Sequence, residues 1–300
     1  MTDDYNPIEL SWDWQTGGKA PKVRFSIEAV GSEAGTPRDP DNTNAAFEFR
    51  RALPRLVPGT NMALLKHFQE QLVDSTRSTE GGEGHATKEF YAFDLGRDGS
   101  VISKAYFFPG CKAKSAGKSS LDVVSEAIHS APDSSAEKVQ ALDQIREFLD
   151  DAKLTSVEIE MLAIDLIDPA ESRFKIYFRV RDTSFASFRH VTTLGGRLPD
   201  SPEQRRGLAE MKKLYKKLFV PQHTESSWDE QTQLPLTDHR TAGLLYFAEF
   251  RYGSAFPKFK AYLPVRHYAA SEEATIAALQ DHLQDNTYMD AYITAVRAVL

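Results

Sequence analysis

The feature that most restricts the fold of this chain is a fourfold alternation of paired extended stretches with paired helical stretches. Period-two hydrophobicity marks strands at 8–14 and 22–30, 89–95 and 100–108, 157–166 and 172–180, and 243–251 and 257–264. Turn chemistry joins the first three pairs through Thr16-Gly17-Gly18, Gly96-Arg97-Asp98-Gly99 and Asp168-Pro169-Ala170-Glu171. Helical periodicity follows each pair, at 42–56 and 61–76, 119–128 and 134–152, 184–194 and 202–218, and 271–284 and 289–299. Asp41 or Asn42 suits the N-cap of the first helix, and Pro58-Gly59 parts it from the second. The stretch 78–84 reads as a polar loop. The repeat is roughly 70–85 residues, too long for a common solenoid. Hairpins separated by helix pairs predict an α+β fold, an antiparallel sheet with its helices on one face. Such a sheet can close into a β-barrel with the helices outside and a lumen for a ligand.

Composition narrows the function classes. The 300 residues are 41% apolar and 26% charged, ordinary for a globular domain. A net charge of −7 argues against nucleic acid as a partner. No apolar run approaches the ~20 residues of a membrane span, and the acidic, aromatic stretch 1–15 is unlike a signal peptide. Cys111 stands alone, which excludes an internal disulfide and a multi-cysteine zinc site and makes the cytoplasm the expected compartment. The eight histidines lack metal-ligand spacing. Cys111 has no evident histidine partner, Gly195-Gly196 suits a helix C-cap, and Lys212, Lys213, Lys216 and Lys217 read as a solvated helix face. Trp12 and Trp14 share a strand face, packing under helices or lining a mouth.

The second strands of three pairs carry like residues at like spacing. They read Lys104-Ala105-Tyr106, Lys175-Ile176-Tyr177 after Arg173, and Lys260-Ala261-Tyr262 after Lys258. Residues two apart share a face, so each strand offers cations and a tyrosine on one side and apolar residues on the other. In the first pair Arg24 takes the cationic position, among Lys22, Ser26 and Glu28. One copy would be a solvated surface. Three in register, with helices over the apolar side, would line a lumen with cations that need an anion. Tyrosine faces among them attract cations. Both together suit a diphosphate that leaves an allylic cation behind.

On these residues the chain resembles the fungal aromatic prenyltransferases of the dimethylallyltryptophan synthase type. The matching stretches are Pro7-Ile8-Glu9-Leu10-Ser11, Val23-Arg24-Phe25-Ser26-Ile27-Glu28, and residues 104–109, 172–179 and 260–268. The resemblance implies a ten-stranded antiparallel barrel with outer helices, formed by one domain over 1–300. It implies a dimethylallyl group passing from dimethylallyl diphosphate to an indole or other electron-rich aromatic ring, with no membrane and no metal or other cofactor. Glu9 then takes a proton from the acceptor; Arg24, Lys104, Arg173, Lys175 and Lys260 hold the diphosphate; Tyr106, Tyr177 and Tyr262 shield the carbocation. The Asp-Asp-Xaa-Xaa-Asp magnesium clamp of ordinary prenyl synthases is absent from the sequence.

The resemblance is incomplete in informative places. Tryptophan-using members carry an arginine where Glu160 aligns and a lysine where Phe90 aligns. Phe108 replaces a further shielding tyrosine and hints at a short C5 donor, and Lys260 replaces a glutamine of some members. A cyclic dipeptide, another indole or a phenolic polyketide therefore fits at least as well as free tryptophan alkylated at C4. Eight strands against ten suggest a chain shortened at both ends and without the last strand pair. The competing expectation is a catalytically inactive barrel that binds anions or another chain, its open edge closed in a homodimer.

Overall fold

The computed structural model describes residues 6–13, 22–74, 87–150, 154, 156–221, 226–235, 237–283, 290 and 294. The expected turn 16–18, the loop 78–84, Trp14, the side chain of Trp12 and most of the helix at 289–299 lie outside them. The strands are β1 (Ile8–Asp13), β2 (Lys22–Ile27), β3 (Glu89–Leu95), β4 (Val101–Phe107), β5 (Val157–Asp165), β6 (Phe174–Val180), β7 (Leu244–Phe250) and β8 (Lys258–Tyr262). They are neighbours in sequence order in one eight-stranded sheet, antiparallel from β1 through β5. Between the hairpins run α1 (Thr43–Leu56) and α2 (Met62–Leu72), then α3 (Gly110–Ala116), α4 (Ser120–His129) and α5 (Gln140–Leu149), then α6 (Phe185–Thr192) and α7 (Pro202–Phe219). The last are α8 (Val265–Tyr268) and α9 (Glu272–His282). No helix among the described residues is long and apolar enough to cross a membrane.

Several boundaries differ from the sequence expectation for local reasons. Asn42 is not a side-chain cap. It adopts φ 52° and pins the end of β2 instead, donating from Nδ2 to the Ala29 carbonyl and accepting from the Gly31 amide at 2.9 Å. The carboxylate of Asp39 caps α1, accepting from the amides of Thr43 (2.7 Å) and Asn44 (3.1 Å). The helix expected from residue 134 begins at Gln140, after a single 3-10 turn over Ala136–Lys138. Short α3 was not anticipated; it ends where Gly117 turns left-handed at φ 64°.

The chain forms two compact units interleaved in sequence. One comprises Met1–Leu149, Glu158–Phe178 and Phe247–Phe259, and the other comprises Asp150–Val157, Arg179–Tyr246 and Lys260–Leu300. In the first, helix rings pack on the apolar sheet face. Phe49 of α1 meets Tyr91 at 4.9 Å between centroids, and Phe68 of α2 meets Phe174 at 6.0 Å. In the second, Tyr215 of α7 is fully buried against Phe185 and Phe219. Of the α7 lysines, Lys213 and Lys217 are exposed as expected, while Lys212 pairs with Glu230 at 2.8 Å and Lys216 lies 5.5 Å from the Trp228 ring centre. Gly195 and Gly196 take positive φ after α6, the conformation of a helix end.

Candidate active site

The first unit brings most of the expected residues onto one sheet face. Strand register aligns Glu9 with Ser26, Ser26 with Ala92, Ala92 with Lys104, and Lys104 with Asp165. Because side chains alternate, these share a face with Arg24, Asp94 and Tyr106, while Tyr91, Phe93 and Phe107 face the helices. Tyr106 stacks on Phe90 at 4.3 Å and lies 6.0 Å from Tyr177, which meets Phe247 at 5.1 Å. A row of rings therefore runs beside the cations. Phe108, 5.9 Å from Phe90, extends it.

The lysines are buried, the arginines half-buried, and all four are paired. Lys104 is only 1% exposed and Lys175 5%. Asp94 binds both Arg24 and Lys104. Asp165, 2% exposed, accepts from Arg173 Nε at 2.5 Å and lies 3.5 Å from Lys175 Nζ. Glu249 lies 3.7 Å from Arg173 and 3.8 Å from Lys175. These carboxylates were missed in the sequence. The signal is there, since each sits on the first strand of its hairpin before an apolar residue: Asp94-Leu95, Asp165-Leu166 and Glu249-Phe250.

Burial and neighbouring charge set the titration of these groups. Burial pushes the Lys104 ammonium down to about 8, helped by Lys175 and Arg24 and opposed by Asp94. Burial also lowers Lys175, and Asp165 opposes it. Although burial alone would raise Asp94, the hydrogen bond from Arg24 and the charge of Lys104 hold it at about 2. Asp165 is likewise held below the usual carboxylate range by Lys175, Arg173 and Lys104, against its burial. Loss of hydration raises Glu9, with Arg24 pulling it back.

Two expected residues belong to the other unit. Lys260 and Tyr262 lie on the part of β8 assigned there, with Lys260 Nζ 5.3 Å from the Tyr262 ring centre. Glu160, which aligns with an arginine of tryptophan-using members, lies apart from this arrangement. Strand alternation sets it with Leu162 and Ile164, the partners of Phe107 and Ala105 on the helix-facing side, so it does not share the face of the cations. Among the described residues no cluster of three or more His, Cys, Asp or Glu suits a metal ion.

Comparison with known proteins agrees with this geometry. The family model described as tryptophan dimethylallyltransferase matches residues 1–294. A 4-O-dimethylallyl-L-tyrosine synthase of Claviceps purpurea is 36% identical over 290 residues, covering 94% of this chain and 63% of its own length. A 7-dimethylallyltryptophan synthase of Aspergillus fumigatus is 34% identical over 291 residues, 93% of this chain and 60% of its own. This chain thus spans less than two thirds of either relative. The crystal structure of AnaPT from Neosartorya fischeri superposes with a TM-score of 0.79 at 29% identity, covering 99% of this chain and 70% of that one. A structure of NotF in complex with brevianamide F and DMSPP gives 0.80 at 23% identity, covering 97% and 70%. A repeat of hairpins and helices, a cationic sheet face bordered by aromatic rings, and a family match over nearly every residue lead to one conclusion: the chain belongs to the tryptophan dimethylallyltransferase family.

Proposed function

We propose that this chain carries the diphosphate-binding and ionising part of an aromatic prenyltransferase. It transfers a dimethylallyl group from dimethylallyl diphosphate to an electron-rich aromatic acceptor. The observation that carries this reading is the convergence of Arg24, Lys104, Arg173 and Lys175 on one face beside Tyr106 and Tyr177. The allylic C–O bond breaks with its electron pair leaving on the diphosphate, and the four cations meet the charge that develops there. The rings of Tyr106 and Tyr177 stabilise the remaining cation through their faces and keep water from it. The acceptor attacks that cation to form the new bond, then releases a proton. Glu9, carried by the edge strand in register with Ser26, receives it, and its pKa, raised by lost hydration, strengthens it as a base.

The acceptor is an indole or a phenol. The relatives are named for tyrosine-O and tryptophan products, and a structural neighbour holds brevianamide F. Phe90, stacked on Tyr106, offers an apolar wall and no charged group to an amino-acid backbone. The test is incubation with dimethylallyl diphosphate and a panel of L-tyrosine, L-tryptophan, cyclic dipeptides and phenolic polyketides, with product read by mass spectrometry. Prenylated product is expected, with turnover reduced at least about tenfold in Arg173→Ala and Lys175→Ala, the loss of a charge-assisted contact to the leaving group. A folded protein that neither binds the diphosphate nor yields product across the panel would exclude the reading in favour of an inactive barrel.

A further inference from the structure

Charges alternate in sign across six successive strands. Arg24 stands on β2, Asp94 on β3, Lys104 on β4, Asp165 on β5, Arg173 just before β6 and Lys175 on it, and Glu249 on β7. Each carboxylate on a first strand pairs with cations of neighbouring second strands: Asp94 with Arg24 and Lys104 on its two sides, Glu249 with Arg173 and Lys175 on one. Asp165 is the register partner of Lys104 and contacts Arg173 and Lys175. The pattern recurs with the hairpin repeat, so it belongs to the architecture rather than to one loop.

We propose that Asp165, with Asp94 and Glu249, acts as a set of built-in counter-ions that keep the buried lysines charged and the guanidinium groups aimed, so that a diphosphate meets cations already in place. This rests on the reading of the cation cluster as the diphosphate site. Four cations drawn together out of water repel one another, and the arginines cannot release a proton. The lysines would do so instead. Lys175 is faced by Arg173 on its own strand, by Asp165 on β5 and Glu249 on β7, and by the more distant charge of Arg24; Lys104 is faced by Asp94, Asp165, Arg24 and Lys175. Burial and the neighbouring cations depress both lysines, and the carboxylates are the groups that oppose it. The three carboxylates leave one positive charge in surplus, which favours a multiply charged anion while limiting how tightly the released diphosphate is held.

The Asp residues are positioning residues, and a titration separates this role from a structural one. Lysine Nζ resonances of the 15N-labelled protein, assigned with Lys104→Arg and Lys175→Arg, report each midpoint directly. Asp165→Asn should lower the Lys175 midpoint by about one pH unit or more, and Asp94→Asn should do the same for Lys104. Calorimetry with inorganic pyrophosphate should show the alkaline loss of affinity moving to lower pH in each variant, with recovery toward pH 6. Should Asp165→Asn not fold, Glu249→Gln, with a more exposed carboxylate, should give a smaller shift of the same sign. Unchanged lysine midpoints, or tighter pyrophosphate binding by Asp165→Asn at every pH, would overturn the proposal. Shifted midpoints in a protein that binds no pyrophosphate would uphold the counter-ion role and remove the diphosphate reading instead.

Discussion

Asp94 illustrates how much a single side chain carries in this fold. It stands directly across from Arg24 and reaches Lys104 diagonally, with its side chain 14% exposed. Its pKa of about 2 in the folded chain is below the ordinary aspartate value, so its stabilisation is present above the ordinary range and disappears as pH falls toward about 2. The difference corresponds to about 2 kcal/mol. Asp94→Asn should therefore lower the urea-unfolding free energy at pH 7 by at least that amount, and the gap to the parent should close between about pH 4 and pH 2. The cations around Asp94 were legible in the sequence because Lys104 belongs to a repeated Lys-Xaa-Tyr and Arg24 takes the cationic position of the first pair. Asp94 was not, because it precedes Gly96-Arg97-Asp98-Gly99 and looks like one more polar residue of the turn.

Elements were legible where periodicity carried them and less so where a side chain set their ends. β3 runs over the residues expected, since an aromatic-rich run is ended by the turn Gly96-Arg97-Asp98-Gly99. The start of α1 falls where expected, with Asn42 at the N-cap position, but the capping carboxylate comes from Asp39, across a loop in which Asn42 takes a left-handed backbone. Asp39→Ala should cost about 1 kcal/mol, visible as a melting temperature a few degrees lower with the circular-dichroism spectrum unchanged. β6 departs from alternation in another way: all seven residues are buried, Lys175 and Arg179 included. Alternation of charge with apolar residues usually signals one wet face, and only the neighbouring strands and their ring and ion partners make this strand dry on both.

For the whole molecule, four hairpins joined by helical segments give the eight-stranded sheet that the repeat demands. On the proposed reading, lysine and arginine side chains rather than a metal ion meet the diphosphate. The corresponding prediction is that a chelator leaves pyrophosphate affinity and product formation unchanged to within about twofold, whereas raising the salt concentration weakens binding by screening the cations. A steep loss of binding with the chelator, restored by a divalent ion, would contradict it.

The sequence by itself determined the hairpin–helix repeat and which cations and tyrosines share a strand face, because backbone periodicity and repeated spacing are local properties. Tertiary structure alone decided which carboxylates neutralise which cations, that Glu160 shares the helix-facing side, and that the rings of Phe90, Tyr106, Tyr177 and Phe247 form one row. Those relations join residues on different strands. They depend on strand register, and a shift of one residue would send each of these side chains to the opposite face.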